Sequence, residues 1–134
     1  MILNEIKGNL FEYTEGRVPV HCISQDCNMG AGIAVEMKKK FRLGGLIADD
    51  FPDCILYHNV LNLITKKKYY GKPTYESLEK AVQIMKEICI EEDIKALVMP
   101  KIGCGLDRLQ WPKVREILER ILGDMDIDIL VCIL

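Results

Sequence analysis

Two glycine-bearing loops limit what this chain can fold into. The first runs Ser24-Gln25-Asp26-Cys27-Asn28-Met29-Gly30-Ala31-Gly32-Ile33. The second runs Pro100-Lys101-Ile102-Gly103-Cys104-Gly105-Leu106-Asp107. Each follows an apolar run, residues 18–23 and 96–99, that reads as a buried strand. Each leads towards a helical pattern, so the unit is strand, glycine turn, helix. Glycine lets bare backbone N–H groups close on a ligand, and a helix N-terminus adds partial positive charge. Two such loops predict a ligand with more than one anionic or polar section, such as a pyrophosphate. Neither loop has the Gly-Lys-Ser/Thr ending of a P-loop or the GxGxxG spacing of a dinucleotide fold.

The remaining pattern fits an α/β domain. Residues 2–6 read as a first strand and Lys7-Gly8-Asn9-Leu10 as a bend. Ile33, Met37 and Phe41 make one helical stripe, with Lys38, Lys39 and Lys40 in its last turn. Residues 54–57 and 60–65 read as strands joined tightly at His58-Asn59, and residues 66–72 as a basic, aromatic loop. Residues 44–52 carry no clear signal beyond a short helix and a turn. Thr74 predicts an N-cap for a helix over 75–91, buried through Tyr75, Leu78, Val82, Met85 and Cys89. Pro112 suits the first turn of a further helix and Gly123 its C′ position, with a stripe of Val114, Ile117, Leu118, Ile121 and Leu122. Residues 127–134 close the chain as a strand. Together these predict one domain over residues 1–134: a three-layer α/β/α sandwich with a mixed, mostly parallel sheet. Ligands in such folds sit beyond the carboxyl ends of strands, where both loops fall.

Composition removes several classes. The net charge of −2 gives the chain as a whole no general affinity for bare nucleic acid, although lysines 38–40 and 66–68 make local patches. No apolar stretch is long enough to cross a membrane, and the basic start of a signal peptide is missing. A cytoplasmic protein in a reducing compartment is expected, with no disulfides among its six cysteines. No cysteine pair has metal-ligand spacing and there are two histidines, so no metal site is expected.

Three ordered motifs carry a resemblance that covers nearly the whole chain. They are residues 21–35 with the first loop, Leu63-Ile64-Thr65-Lys66-Lys67 followed by Lys72-Pro73-Thr74-Tyr75, and residues 99–111 with the second loop. On these residues the chain resembles a macrodomain, the ADP-ribose-binding module. It is similar in particular to the branch that contains the terminal ADP-ribose protein glycohydrolase. The resemblance implies an ADP-ribose cleft. Asn9 and Leu10 would stand at the adenine, where family members usually have Asp, so the Asn9 carbonyl accepts without charge assistance. Ser24, Met29, Gly30, Ala31, Gly32 and Ile33 would wrap the distal ribose and pyrophosphate. Pro100, Ile102, Gly103, Cys104, Gly105 and Leu106 would clamp the pyrophosphate from the other side. Lys66 would attack the anomeric carbon of the distal ribose, and Asp107 would act as acid and base. No cofactor is implied.

A lysine attacks only as the neutral amine. Lys67 and Lys68 favour that form and a bound pyrophosphate opposes it. Taken singly, the residues read blandly: Lys66 as a solvated charge, Asp107-Arg108 as a turn, His21 as a structural hydrogen-bonder and Trp111 as an anchor for the last helix. Tyr69 and Tyr70 read equally as substrate contacts or as an exposed loop. Cys27 and Cys104 have no histidine nearby in sequence to activate them. The joint occurrence of Lys66, Asp107 and both loops favours a monomeric hydrolase. Its substrate would be mono-ADP-ribose on acidic side chains or nucleobases of a protein or nucleic acid. Two alternatives stay open: a non-catalytic ADP-ribose reader, and a hydrolase of O-acetyl-ADP-ribose or ADP-ribose 1″-phosphate.

Overall fold

A computed structural model describes residues 1–134. Six strands form one sheet: β1 (Ile2–Lys7), β2 (Val18–Ser24), β3 (Cys54–Tyr57), β4 (Val60–Lys66), β5 (Ala96–Met99) and β6 (Asp128–Ile133). Their spatial order is β1-β6-β5-β2-β4-β3. Every neighbouring pair is parallel except β3 with β4, so the sheet is mixed and mostly parallel, as the sequence predicts. The antiparallel pair turns at His58 and Asn59, whose φ values of 48° and 59° are both positive. Two left-handed central residues match the right-handed twist of a hairpin.

Three α-helices cover the sheet: α1 (Ile33–Phe41), α2 (Tyr75–Glu91) and α3 (Trp111–Leu122). Apolar residues of α2 and α3 pack with Leu61, Leu63, Leu97 and Val131 into one core cluster. Met37 of α1 packs with Val60, Ile64 and Val98 into a second cluster on the opposite face. Successive strand residues point to opposite faces, so β4 feeds both clusters. Helix α2 starts at a reciprocal cap. Thr74 Oγ1 accepts the Ser77 N–H and Ser77 Oγ accepts the Thr74 N–H, each at 3.0 Å. No helix is long and apolar enough to cross a membrane.

One sequence reading needs correction. Gly123 does not end α3 in the left-handed region: its φ of −59° and ψ of −28° are right-handed. The chain there continues the turn, and the Met125 N–H reaches the Leu122 carbonyl at 3.0 Å. Lys86 Nζ instead supplies a donor to the last helical turn, on the Ile121 carbonyl at 3.0 Å. Trp111 anchors the start of α3 in the core, as the sequence predicts. It lies against the first cluster while its indole N–H donates to Glu5 Oε1 at 3.0 Å, tying α3 to β1. The unclear stretch around residues 44–52 holds a short 3-10 turn, Leu43–Gly45, then a chain with positive φ at Asp50 and Phe51.

Candidate active site

β2 and β5 are parallel neighbours, so the loops that follow them leave from the same edge of the sheet. The loops meet there. A Cβ added to Gly32 would touch Leu106 Cδ1 at 3.4 Å. Between them opens a cavity of about 1000 Å³, at the upper end of what small-molecule sites use. Its wall includes all sixteen residues that the resemblance marks: Asn9, Leu10, six from the first loop, six from the second, Lys66 and Asp107. Leu10, Met29 and Ile102 are buried parts of the wall. Gly30, Ala31, Gly105 and Leu106 are exposed at the opening.

The first loop is a strained segment held by a carboxylate. Cys27 and Met29 have φ of 55° and 43°, unusual for residues with a side chain. Asp26 collects the donors around it. Its Oδ1 accepts the Ser24 hydroxyl and the Asn28 N–H, and its Oδ2 accepts the Tyr69 N–H at 3.0 Å. The Asp26 carboxyl sits below its ordinary range; these hydrogen bonds and Lys68 outweigh a larger opposing effect of burial. The loop is thereby fastened to the 66–72 segment, with the Gln25 N–H on the Lys66 carbonyl at 2.8 Å.

Gly32 ends the loop at φ 62° and ψ −151°, a region essentially restricted to glycine. Gly32→Ala is expected to cost about 1–3 kcal/mol. Gly105→Ala should cost little, because an added Cβ there meets nothing within 4 Å. Urea denaturation of the two variants checks the contrast.

Lys66 ends β4 and Asp107 ends the second loop. Lys66 Nζ donates to Asp107 Oδ1 at 2.6 Å, with only 14% and 16% of the two side chains exposed. An amine and a carboxylate in contact on a cavity wall make a proton-transfer pair. Asn9 is less free than the sequence implies. Its carbonyl oxygen accepts the Phe11 N–H at 3.0 Å and caps a short 3-10 turn, leaving one lone pair for a ligand.

Burial favours the neutral form of the thiols beside the cavity, the poorer nucleophile. Burial pushes Cys104 up to about 11, and its Sγ rests on the Ile102 carbonyl at 3.3 Å. Burial likewise raises Cys27 and Cys22. No group of three or more His, Cys, Asp or Glu side chains comes together as metal ligands. Other parts of the wall carry no sequence motif: Phe11, Glu36, Tyr69, Tyr70 and residues 132–134. The strand order alone locates residues 132–134, because β6 lies beside β5 and ends at the same edge.

Residues 48–118 match the Macro domain family, a span that contains Lys66, Asp107 and the second loop but not the first. The chain is 43% identical over 137 residues to ADP-ribose glycohydrolase OARD1 of Bos taurus, covering 94% of this chain and 88% of that one. It is 42% identical over the same length to ADP-ribose glycohydrolase OARD1 of Homo sapiens, with the same coverage. Among solved structures, the macrodomain of Mycobacterium tuberculosis DarG superposes with a TM-score of 0.81 at 18% identity, covering 98% of this chain and 97% of that one. At that identity the likeness is one of fold. Relatives at 42–43% identity along nearly the whole chain show more: the protein belongs to the Macro domain family.

Proposed function

We propose that this protein is an ADP-ribosyl hydrolase that removes mono-ADP-ribose from acidic side chains or nucleobases. The observation that carries the reading is the Lys66–Asp107 contact of 2.6 Å in the wall of the cavity between the two glycine loops. The relatives named ADP-ribose glycohydrolase support the same ligand and reaction class. The two loops hold the pyrophosphate and distal ribose through backbone N–H groups. Asn9 and Leu10 stand at the base.

On an ester, the reaction begins at the Lys66–Asp107 pair. Asp107 takes a proton from Lys66, freeing the lone pair on Nζ. Nζ attacks the anomeric carbon of the distal ribose; the C–O bond to the substrate breaks, and its electron pair leaves with the carboxylate. The ribose ring then opens: Nζ gives up one proton and its electron pair forms the C=N bond, the ring C–O bond breaks, and the ring oxygen takes that electron pair and the proton, leaving a protonated imine to Lys66. Water adds to the imine carbon. The C–N bond of this adduct breaks with its electron pair left on Nζ, Asp107 returns its proton to Nζ, the surplus proton of the water passes to solvent, and free ADP-ribose leaves with the lysine restored as its ammonium. The six free thiols fit a reducing, cytoplasmic compartment.

The test supplies wild-type protein with a glutamate-linked ADP-ribosyl peptide, an ADP-ribosylated oligonucleotide, O-acetyl-ADP-ribose and ADP-ribose 1″-phosphate. The account predicts release of free ADP-ribose from the peptide or the oligonucleotide, with kcat/KM above that on either small metabolite. ADP-ribose binding by calorimetry with no turnover of any substrate would make the protein a reader.

A further inference from the structure

Simple alternation along β4 does not deliver Lys66 to Asp107. Leu61 and Leu63 belong to the core cluster under α2 and α3, whereas Val60 and Ile64 belong to the cluster on the α1 face. Unbroken alternation would turn Lys66 to the Ile64 side. The register with β2 slips at this point: Ile23 pairs with Ile64, but Ser24 pairs with Lys66. Thr65 is the extra residue. The slip moves Lys66 to the face of Cys22 and Leu63, which are paired two residues before Ser24. Cys104, from the loop that carries Asp107, packs on that face too. An extra residue that re-aims a side chain is a known use of a bulge, and one in a parallel pair is uncommon.

A bulge needs a partner for the backbone groups it disturbs. Thr65 is 2% exposed, so water cannot serve freely. Its carbonyl accepts the Ser77 hydroxyl at 2.7 Å. The Thr74 carbonyl, at 3.0 Å, is the longer alternative for the same proton. Ser77 thus has two roles: its oxygen caps α2 at the Thr74 N–H, and its proton holds β4. It lies outside the cavity wall.

We propose that Ser77 is a positioning residue: by holding the Thr65 carbonyl it maintains the slip in β4 that aims Lys66 at Asp107. The inference rests on the hydrolase reading, because the aim of Lys66 matters only where Lys66 reacts. Misplacing a reacting group by about 1 Å can cost about 100-fold. Ser77→Ala should therefore lower kcat by about 10- to 100-fold with KM within about threefold. Ser77→Thr, which keeps the hydroxyl, should recover most of the rate. Ser77→Cys, a weak donor of similar shape, should fall between them and replaces the alanine variant should that not fold.

Thr74→Ala is the control. It removes the other half of the same cap without touching the Thr65 carbonyl, so it should lower the melting temperature yet keep the wild-type kcat. Wild-type kcat in Ser77→Ala or Ser77→Cys would overturn the inference, as would equal losses of kcat in Thr74→Ala and Ser77→Ala. Absence of turnover by the wild type would instead overturn the hydrolase reading, and this inference with it.

Discussion

Lys66→Ala should lower kcat on ester-linked ADP-ribose by about 1000-fold or more, equivalent to about 4 kcal/mol of transition-state stabilisation. The Kd for ADP-ribose should move by less than about tenfold, because the backbone of the two loops supplies most of the phosphate contacts. Lys66→Arg should not rescue the rate: a guanidinium keeps its charge and has no lone pair to attack with. Asp107→Asn keeps the shape and loses the proton acceptor, so a fall of about 100- to 10,000-fold is expected. The double variant should be little worse than Lys66→Ala alone, since the two side chains act as one unit. Steady-state kinetics with calorimetry on these four variants checks all five statements. The pair is largely buried, so removing one partner leaves an unpaired charge and should also lower the thermal midpoint, which calorimetric melting separates from the loss of kcat.

Acidification should destabilise the fold through His21. Its Nε2 meets Asn62 Oδ1 at 2.6 Å, deep between β2 and β4. The Asn62 amide nitrogen donates to the carbonyls of Ile55 and Val60, at 3.2 and 3.0 Å. The Asn62 oxygen must therefore face the ring, and His21 donates from Nε2. That leaves Nδ1 as the lone-pair nitrogen, buried without a protein partner. Burial lowers His21 from 6.5 to about 4, with the Asn62 bond opposing part of the shift. The unfolded chain takes up the proton near pH 6.5, while the folded protein resists it until about pH 4. The stability is thus complete above about 6.5 and is lost as the pH falls towards 4. The difference amounts to about 3 kcal/mol. His21→Gln, which can still donate to Asn62, should remove most of that pH dependence. Urea denaturation at pH 7 and pH 4 measures it, and equal losses in the two proteins would contradict the assignment.

What was legible in the sequence followed from local signals. The His58-Asn59 hairpin, the Thr74 cap and the stripes of α2 and α3 depend on residues a few positions apart, and all are present. The meeting of the two loops depends on β2 and β5 lying side by side, a strand order that local signals do not supply. The slip at Thr65 left no trace. β4 is buried on both faces, so its residues up to Thr65 form a nearly continuous apolar run with no alternation from which to read parity. Asn9 shows the same limit, because its residue type does not reveal that its carbonyl caps the next turn. Gly123 departs from its expected C′ role because a glycine after a helix commonly marks a left-handed stop, whereas here the chain continues right-handed. The wall formed by Phe11 and residues 132–134 depends on tertiary packing alone.

The proposed hydrolysis requires Lys66 Nζ to bond covalently to the distal ribose during turnover. The direct measurement is borohydride quenching of wild type, Lys66→Ala and Asp107→Asn during reaction with the ADP-ribosyl peptide, followed by intact mass and peptide mapping. One stable ADP-ribosyl adduct is expected on the wild type, mapped to Lys66 and missing from Lys66→Ala. Turnover at the wild-type rate by Lys66→Ala, or an adduct mapped to another residue, would contradict it.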